Sequence, residues 1–109
     1  MIKYIALWVV KPGLDPDRIW KDWQEKHAPW VKERLAPDLK RYVQHRILEE
    51  LPGAPVDFFG LTEFWFEDIE SAKRAIARMT EPPLDDFMMT YAIPSKVRRV
   101  LAEEIEVEL

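Results

Sequence analysis

The order in which strand-like and helix-like segments follow one another limits the folds open to this chain more than any other feature of its sequence. Proline and glycine cut the 109 residues into segments, and the spacing of apolar residues changes from one segment to the next. Strands are predicted over residues 2–10, 39–48 and 57–67 and from about Lys96 onward. Helices are predicted over residues 15–35 and after Asp68. The order is therefore strand, helix, strand, strand, helix, strand.

Local signals define the ends of these segments. Asp15 is a suitable N-cap with Pro16 at the first helical position, and Asp68 caps the second helix. The apolar stripe of that helix is Ile69, Ala72, Ile76 and Met79. Residues 84–93 are predicted to be irregular or a short helix. The segment KVRRVLAEE is compatible with a helix, but the last six residues, EIEVEL, alternate with period two, which favours one long final strand.

An α+β fold follows from this order. It is the ferredoxin-like split βαββαβ pattern, with one four-stranded antiparallel sheet, and right-handed crossovers place both helices on the same face of that sheet. A chain of 109 residues is long enough for one such core. We therefore expect residues 1–109 to form a single domain.

Both faces of the predicted sheet are apolar. In the first strand Ile5, Leu7 and Val9 oppose Tyr4, Ala6, Trp8 and Val10, and in the third strand Phe58, Phe64 and Phe66 oppose Phe59, Leu61 and Trp65. Two helices cover only one face, and the other would expose more contiguous apolar surface than a monomer usually does. This predicts a homodimer packed sheet to sheet as a dimeric α/β barrel. The alternative is a monomer whose tail covers that face.

The composition of the chain argues against several classes of partner and of binding site. The formal net charge is -4, with both signs interspersed and no basic run, which argues against nucleic acid and anionic membranes. No segment of the sequence is long and apolar enough to span a bilayer, so a cytoplasmic domain is predicted. With no cysteine, two distant histidines and only three glycines, the chain offers a poor metal site and no phosphate-binding loop. Neither a metal nor a cofactor is expected.

His27 lies in the segment EKHAPW, where the first helix meets Pro29. Pro29 lacks an amide hydrogen and disfavours helical geometry at Ala28, so a kink or break is predicted at His27–Ala28. A stripe that faces the sheet is formed by Ile19, Trp20, Trp23 and His27. A histidine between helix and sheet, with an ordinary pKa of about 6.5, is suited to proton transfer. The alternative is a structural histidine that interacts with the helix dipole.

Three more polar residues are candidates. Glu63 interrupts an apolar face, where burial should raise its pKa, or it is a structural partner of Arg41 or Arg46. Tyr42 is either a hydrogen-bond donor in a pocket or a core aromatic residue. Strand alternation places His45 on the face opposite Tyr42, at the dimer interface or at an edge.

Three segments together carry a resemblance to a known family. They are MIKYIALWVVKPGLDPDRIWKDWQEKHAPWV, with its KPG turn and W…HAP segment, then LKRYVQHRIL, then GLTEFWFEDIESAKRAI. They resemble the EthD family of dimeric α/β-barrel proteins over nearly the whole chain. The resemblance implies a ferredoxin-like subunit and a homodimer whose two sheets form a barrel. Related barrels include isomerases, polyketide cyclases, quinone-forming monooxygenases and haem-degrading enzymes, several of which work without a bound cofactor.

The resemblance also implies roles for particular residues. In relatives of the muconolactone-isomerase type, a histidine at the HAP-like position and a tyrosine on the second strand line the pocket, and His27 and Tyr42 match them. Gly60, Glu63 and Trp65 match the G-x-x-E-x-W strand of the family. Some isomerase relatives have a pocket cysteine, whereas this chain has none, so a thiol-dependent mechanism is excluded.

These observations predict a pocket between helices and sheet that takes a small apolar or aromatic ligand. His27 would be the general acid or base, Tyr42 would stabilise an enolate or phenolate, and Glu63 would orient His27 or hold a proton itself. The predicted walls are Trp23, Trp30, Trp65 and Phe87, and residues 84–93 would close over the ligand.

Three functions are compatible with such a pocket. The first is a cofactor-free enzyme that isomerises, cyclises or dehydrates a small cyclic, aromatic or polyketide-like carbonyl compound. The second is a cofactor-free oxygenase, or an accessory protein of an oxidoreductase system in ether or aromatic degradation. The third is a non-catalytic carrier of apolar ligands.

Overall fold

A four-stranded antiparallel sheet carries a layer of helices on one of its faces. The computed structural model describes residues 1–53 and 57–109, so that part of the LPGAPVD stretch lies outside the described residues. The strands are β1 (Ile2–Trp8), β2 (Arg41–Arg46), β3 (Gly60–Phe66) and β4 (Arg98–Glu103). The helices are α1 (Pro16–Asp22), a π-helical turn (Trp23–His27), α2 (Ala28–Leu35), α3 (Ile69–Arg78), α4 (Phe87–Tyr91) and a 3-10 turn (Pro94–Lys96). The ferredoxin-like order predicted from the sequence is confirmed.

The strands lie in the order β2-β3-β1-β4, and each neighbouring pair is antiparallel. The register aligns one row of side chains across the helix-covered face, namely Tyr42, Phe64, Tyr4 and Leu101. Helix α3 packs over the two central strands, β1 and β3. The helical layer thus covers the middle of the sheet and leaves β2 and β4 as its edges.

The predicted helix starts are present. The Asp15 side chain accepts a hydrogen bond from the Asp17 amide, with Pro16 at the start of α1. Asp68 and Ser71 form a reciprocal capping box at the start of α3. Both caps satisfy amide groups that would otherwise lack partners at a helix start.

The predicted break at His27–Ala28 takes a different form. The Ala28 amide donates to the Trp23 carbonyl in the wider π-helical turn, and Ala28 keeps helical angles of φ -58 and ψ -43. The expectation that Pro29 pushes Ala28 out of helical geometry is therefore wrong. The wider turn accommodates the proline at the start of the next helix, and the chain continues from the π-helical turn into α2.

The final strand is shorter than predicted. β4 ends at Glu103, and residues 104–109 are not in a strand. The amide of Glu104 donates to the carbonyl of Met1, one residue before the start of β1. Alternation alone does not make a strand, because a strand needs a neighbour for its backbone groups. The apolar residues of this tail, Ile105, Val107 and Leu109, are exposed.

The buried side chains form two clusters between the helices and the sheet. One contains Tyr4, Ala6, Val31, Leu35, Phe64, Phe66, Ala72 and Ala75. The other, called here the tryptophan cluster, contains Trp8, Ile19, Trp23, Phe59, Phe87 and Ala92. Phe59 was expected on the opposite face with Leu61. Its ring lies 5.2 Å from that of Trp8 instead, because β3 begins only at Gly60 and its alternation does not extend to Phe59.

The outer face of the sheet, which none of the helices in the described ranges covers, is apolar around a charged centre. Its half-buried or exposed apolar residues include Ile5, Leu7, Val43, Leu61 and Val100. The centre is formed by Lys3, Glu63 and His45, where Glu63 is ion-paired with Lys3 and hydrogen-bonded to His45. The sequence-based expectation that both faces are apolar is therefore met only in part, because charged residues occupy the centre of the outer face.

Gly60 gives a test of the contact between the sheet and the first helical segment. A Cβ atom on this residue would lie 2.7 Å from Nε1 of Trp8 and 2.9 Å from Cη2 of Trp23. Since both rings are fully buried, we expect Gly60→Ala to lower the free energy of unfolding by about 1–3 kcal/mol, measured by urea denaturation. The control is the same change in a Trp8→Phe background, where the smaller ring gives room. An equal loss in both backgrounds would rule out the contact with the Trp8 ring as its cause.

Candidate active site

A cavity of about 380 Å³ lies between the helical layer and the sheet. Its floor is formed by β1 and β3, and its walls by the π-helical turn, the end of α3, helix α4 and β4. The lining side chains are mainly apolar and include Trp8, Trp23, Phe64, Met79, Met88 and Met89. The polar groups among them are Tyr4, His27, Thr62 and Arg99. Such a cavity suits a small, largely apolar molecule.

His27 lies at the wall of this cavity with its ring held on three sides. The ring stacks on Phe87 at 5.0 Å and on Trp30 at 5.9 Å between centroids. Its Nδ1 atom is hydrogen-bonded to Oδ2 of Asp85, which lies in the segment between α3 and α4. The π-helical turn brings His27 to this position, because the ring lies on the same side of the turn as the buried Trp23.

The contact with Asp85 determines which ring nitrogen is available for chemistry. A carboxylate accepts a hydrogen, so Nδ1 carries the proton and Nε2 is left with its lone pair. Burial lowers the pKa of His27 from its ordinary value of 6.5, although the hydrogen bond and the charge of Asp85 act in the opposite direction. The ring is therefore neutral at neutral pH and can accept a proton.

The lowered pKa of His27 also makes folding depend on pH. The unfolded chain binds the proton at a higher pH than the folded chain does, so protonation favours unfolding. The contribution of this residue to stability therefore falls as the pH decreases below about 6.5, and the loss is complete below the folded-state pKa.

Tyr42 faces the helical side, as predicted, but lines a separate depression. That depression is an open groove along the edge strand β2, beside Trp20, Gln24 and Lys32. In the row across the sheet, Phe64 stands between Tyr42 and Tyr4, and it is Tyr4 that lines the cavity. Burial raises the pKa of Tyr42 to about 12. The prediction that Tyr42 and His27 share one pocket is not met, and the proposed catalytic role of Tyr42 stays a prediction.

Glu63 lies on the outer face, on the opposite side of the sheet from His27. Its carboxylate is bound by Lys3 Nζ at 2.7 Å and by His45 Nε2 at 2.5 Å. The prediction that Glu63 orients His27 is wrong, because alternation along β3 directs residues 62 and 64 to the cavity and residue 63 away from it. The alternative expectation, that Arg41 or Arg46 is the structural partner of Glu63, is also wrong.

The protonation of Glu63 differs from the expectation as well. Burial raises the pKa of its carboxyl group, but the hydrogen bonds from Lys3 and His45 outweigh that effect, and the pKa is lowered overall. Glu63 is therefore held as a carboxylate in the charged centre of the outer face.

The predicted ligand-binding aromatic residues are divided in the same way. Trp23 lines the cavity. Trp30 and Phe87 stack on the ring of His27 and are not among the residues that line the cavity. Trp65 lies on the outer face, with Lys3 and Arg41 over its ring at 4.4 and 4.8 Å. Trp65 is therefore not a wall of the cavity. The segment 84–93 does supply wall residues, Met88 and Met89, as expected.

Sequence reasoning missed Asp85, Tyr4 and Arg99. A signal was present for Tyr4, since alternation in β1 placed it on the face that the helices cover. Arg99 follows from the same alternation once β4 is paired with β1. Asp85 gave no periodic signal, because it lies outside regular secondary structure.

Two further features bear on what the chain can bind. Among residues 1–53 and 57–109, no group of three or more His, Asp or Glu side chains is arranged to hold a metal ion. Within the same described ranges, no helix is long and apolar enough to cross a membrane.

This architecture, with its cavity between sheet and helices, defines a small-molecule-binding protein of the ferredoxin-like type. Comparison with known proteins agrees with that class. The family model for the EthD domain matches residues 11–86, which is more than half of the chain. The chain belongs to the EthD family. No curated protein sequence matched it.

Solved structures share the fold. An ethyl tert-butyl ether d (ethd) family protein from Bacillus halodurans has a TM-score of 0.71 and 24% identity, covering 96% of this chain and 99% of its own. A dimeric protein of unknown function and ferredoxin-like fold from Bacteroides fragilis has a TM-score of 0.57 and 10% identity, covering 94% and 95%. SnoaB, a cofactor-independent oxygenase from Streptomyces nogalater, has a TM-score of 0.61 and 11% identity, and the match covers 97% of this chain and 94% of SnoaB. At these identities the likeness concerns the fold alone.

The pairing of His27 with Asp85 predicts a change that NMR can measure. Asp85→Asn removes the carboxylate charge that favours the protonated ring, so the pKa of His27 should fall further below its ordinary value. The measurement is a pH titration of the ring resonances. The matched control is Asp86→Asn, which changes the adjacent, exposed carboxylate and should leave the titration of His27 in place. A pKa of His27 that stays constant or rises in Asp85→Asn would contradict the pairing.

Proposed function

We propose that this chain is a cofactor-independent enzyme in which His27 moves protons on a small cyclic, aromatic or polyketide-like carbonyl compound. The observation that carries the proposal is a buried histidine at the wall of an apolar cavity, His27, which is hydrogen-bonded to the half-buried carboxylate of Asp85. A histidine that is neutral at neutral pH and oriented by a carboxylate is suited to act as a general base. Binding of a small molecule in an apolar pocket with a few polar groups is the setting such chemistry needs.

The proposed reaction begins when Nε2 of His27 takes a proton from a carbon next to the carbonyl group. The electrons of the C–H bond move to the carbonyl oxygen and form an enolate, while Asp85 stabilises the imidazolium. The hydroxyl groups of Tyr4 and Thr62 face the same cavity and are available to donate to the enolate oxygen.

The enolate has three ordinary fates. Return of the proton to a different carbon gives an isomerisation. Loss of a hydroxyl group, which takes the proton from His27 and leaves as water, gives a dehydration. Attack of the enolate carbon on a second carbonyl group of the same molecule forms a ring and an alkoxide, which takes the proton from His27, and this gives a cyclisation. Each fate returns His27 to its neutral form, so that no further reactant is needed.

A cofactor-independent oxygenase is the second candidate. The same pair of residues could remove the proton of a phenol, and the resulting phenolate would be the electron-rich partner of dioxygen. This candidate is favoured by the fold shared with the oxygenase from Streptomyces nogalater. Consumption of dioxygen separates it from the first candidate.

Hydrogen exchange tests the proposed proton transfer before the natural substrate is identified. A panel of cyclic and aromatic ketones, lactones and β-diketones is incubated with the protein in D₂O, and loss of the C–H signal next to the carbonyl is followed by NMR. We expect His27→Gln to slow the exchange of an accepted compound by about 100-fold, the usual effect of losing one proton-transfer group. Dioxygen uptake is recorded in parallel.

The other histidine supplies the matched control. His45→Gln changes a ring on the outer face, and exchange should continue at the wild-type rate. Equal rates for the His27→Gln variant and the wild-type protein would contradict the proposed role of His27. Uptake of dioxygen together with product formation would favour the oxygenase.

We further propose that two copies of the chain associate through their outer faces. The face combines apolar residues with a charged centre whose members are already paired, so that covering it leaves few unpartnered charges. The chain mass is 13.0 kDa, and light scattering at micromolar concentration should give about twice this value. The mass of a monomer at this concentration would contradict the proposed dimer.

A pair of substitutions locates the interface. Val100 on the outer face is 53% exposed in the single chain, and Ile69 on the helical side is 44% exposed. Placing a glutamate at Val100 should weaken the dimer by at least about tenfold, because an unpaired charge would be buried between the sheets. Ile69→Glu should leave the dimer intact. The dimer dissociation constants of the two variants are measured by analytical ultracentrifugation of dilution series. If both substitutions weaken the dimer equally, the interface does not lie on the outer face.

A further inference from the structure

The cavity beside His27 has one fixed charge on its walls, and that charge is positive. Arg99 is the charged residue among the lining side chains, and none of them is acidic. Asp85 is not among these lining residues, and its carboxylate is hydrogen-bonded to the ring of His27. Since that ring is neutral at neutral pH, Arg99 supplies the charge that borders the cavity directly, and the Arg99 end of the cavity favours a negatively charged group of a ligand.

The guanidinium group of Arg99 is available for such a ligand. No ion pair within the described ranges includes Arg99, and its side chain is exposed. Other arginines on the helical side are occupied. Arg34 donates to backbone carbonyl groups, including that of Arg78 at 3.3 Å, and Arg78 itself binds Asp38 at 2.7 Å.

A second donor lies close to Arg99. Arg99 is opposite Ala6 in the register of β4 and β1, and Tyr4 is the next residue of β1 on the same face. Burial raises the pKa of the Tyr4 hydroxyl, while the nearby charge of Arg99 acts in the opposite direction. Tyr4 is therefore a neutral hydroxyl, able to donate a hydrogen bond beside a guanidinium group.

We propose that the ligand of this cavity is an apolar ring compound with a carboxylate group, which Arg99 and Tyr4 bind at the cavity mouth. The planar guanidinium can donate two parallel hydrogen bonds to a carboxylate. The proposal rests on the proposed function in one respect, that the cavity takes a small molecule. What it adds is that this molecule is negatively charged, so that the cavity binds acids in preference to neutral analogues of the same shape.

The apolar part of the ligand fits the remaining walls. A volume of about 380 Å³ is near the lower end of ordinary ligand pockets, which suits a molecule of one or two rings. Trp8, Trp23 and Phe64 present aromatic surfaces, and the methionines adapt to irregular shapes. With the carboxylate at Arg99, the ring system of the ligand is placed in the cavity whose wall contains His27.

The experiment compares two probes of nearly equal shape by isothermal titration calorimetry. The probes are 2-naphthoate, which has the carboxylate, and 2-naphthalenemethanol, which is neutral. The wild-type protein should bind the naphthoate at least about tenfold more tightly, the expected gain from a charge-assisted hydrogen bond. Arg99→Met should abolish this preference and leave the affinity for the alcohol unchanged. Arg99→Lys, which keeps the positive charge, should retain part of the preference for the naphthoate.

Arg98→Met is the matched control. It removes the same charge one position earlier in β4, on the outer face, and should leave the preference as it is in the wild-type protein. The inference is overturned if the alcohol binds as tightly as the acid, if neither probe binds, or if Arg98→Met acts like Arg99→Met.

The outcomes also separate this inference from the proposed function. If the acid is preferred through Arg99 but His27-dependent exchange is absent, the inference stands and the protein is a carrier of such acids. If exchange depends on His27 while the probes bind equally well, the catalytic proposal stands and the charge of the ligand has been assigned wrongly.

Discussion

The packing of Trp23 on Trp8 above Gly60 holds the first helical segment on the sheet. The two rings meet edge to face with centroids 4.9 Å apart, and both are almost completely buried. The π-helical turn begins at Trp23 and ends at His27, so fixing one end of this short turn fixes the ring at the other. From that position His27 meets Phe87 and the carboxylate of Asp85. The candidate site therefore depends on a contact that is itself made possible by the missing side chain of residue 60.

The chemistry of the site comes from two effects that oppose each other at His27. Burial keeps the ring uncharged and ready to accept a proton, whereas Asp85 makes the charged form tolerable once the proton has arrived. A base that is buried without a carboxylate would be too weak, and one paired in open water would already be protonated more often. Arg99 and Tyr4 add a cationic edge to a largely apolar cavity, and the outer face keeps its own charges, centred on Glu63, on the far side of the sheet.

Sequence reasoning succeeded where signals are local and periodic. Asp15 and Asp68 identified helix starts, and alternation in β1 and β3 identified two apolar faces. It failed where position depends on distant parts of the chain. Asp85 reaches His27 across 58 residues of sequence, and Tyr4 replaces Tyr42 in the cavity because of strand order and register, which no single segment encodes. Glu63 was assigned to the pocket because it interrupts an apolar face and matches a family motif, although the alternation of its own strand placed it on the opposite face from Phe64.

Adjacent positions of β3 belong to different surfaces, and this has an evolutionary consequence. Thr62 and Phe64 face the cavity, whereas Glu63 and Trp65 face outward. Insertion or deletion of one residue inside the strand would exchange the two sets, sending a carboxylate into the cavity and the cavity floor to the outer surface. A descendant chain can therefore vary this strand by substitution but not in length by a single residue. Changes of ligand must arise through replacements in place, or through the loops and helices that can change length without inverting the sheet.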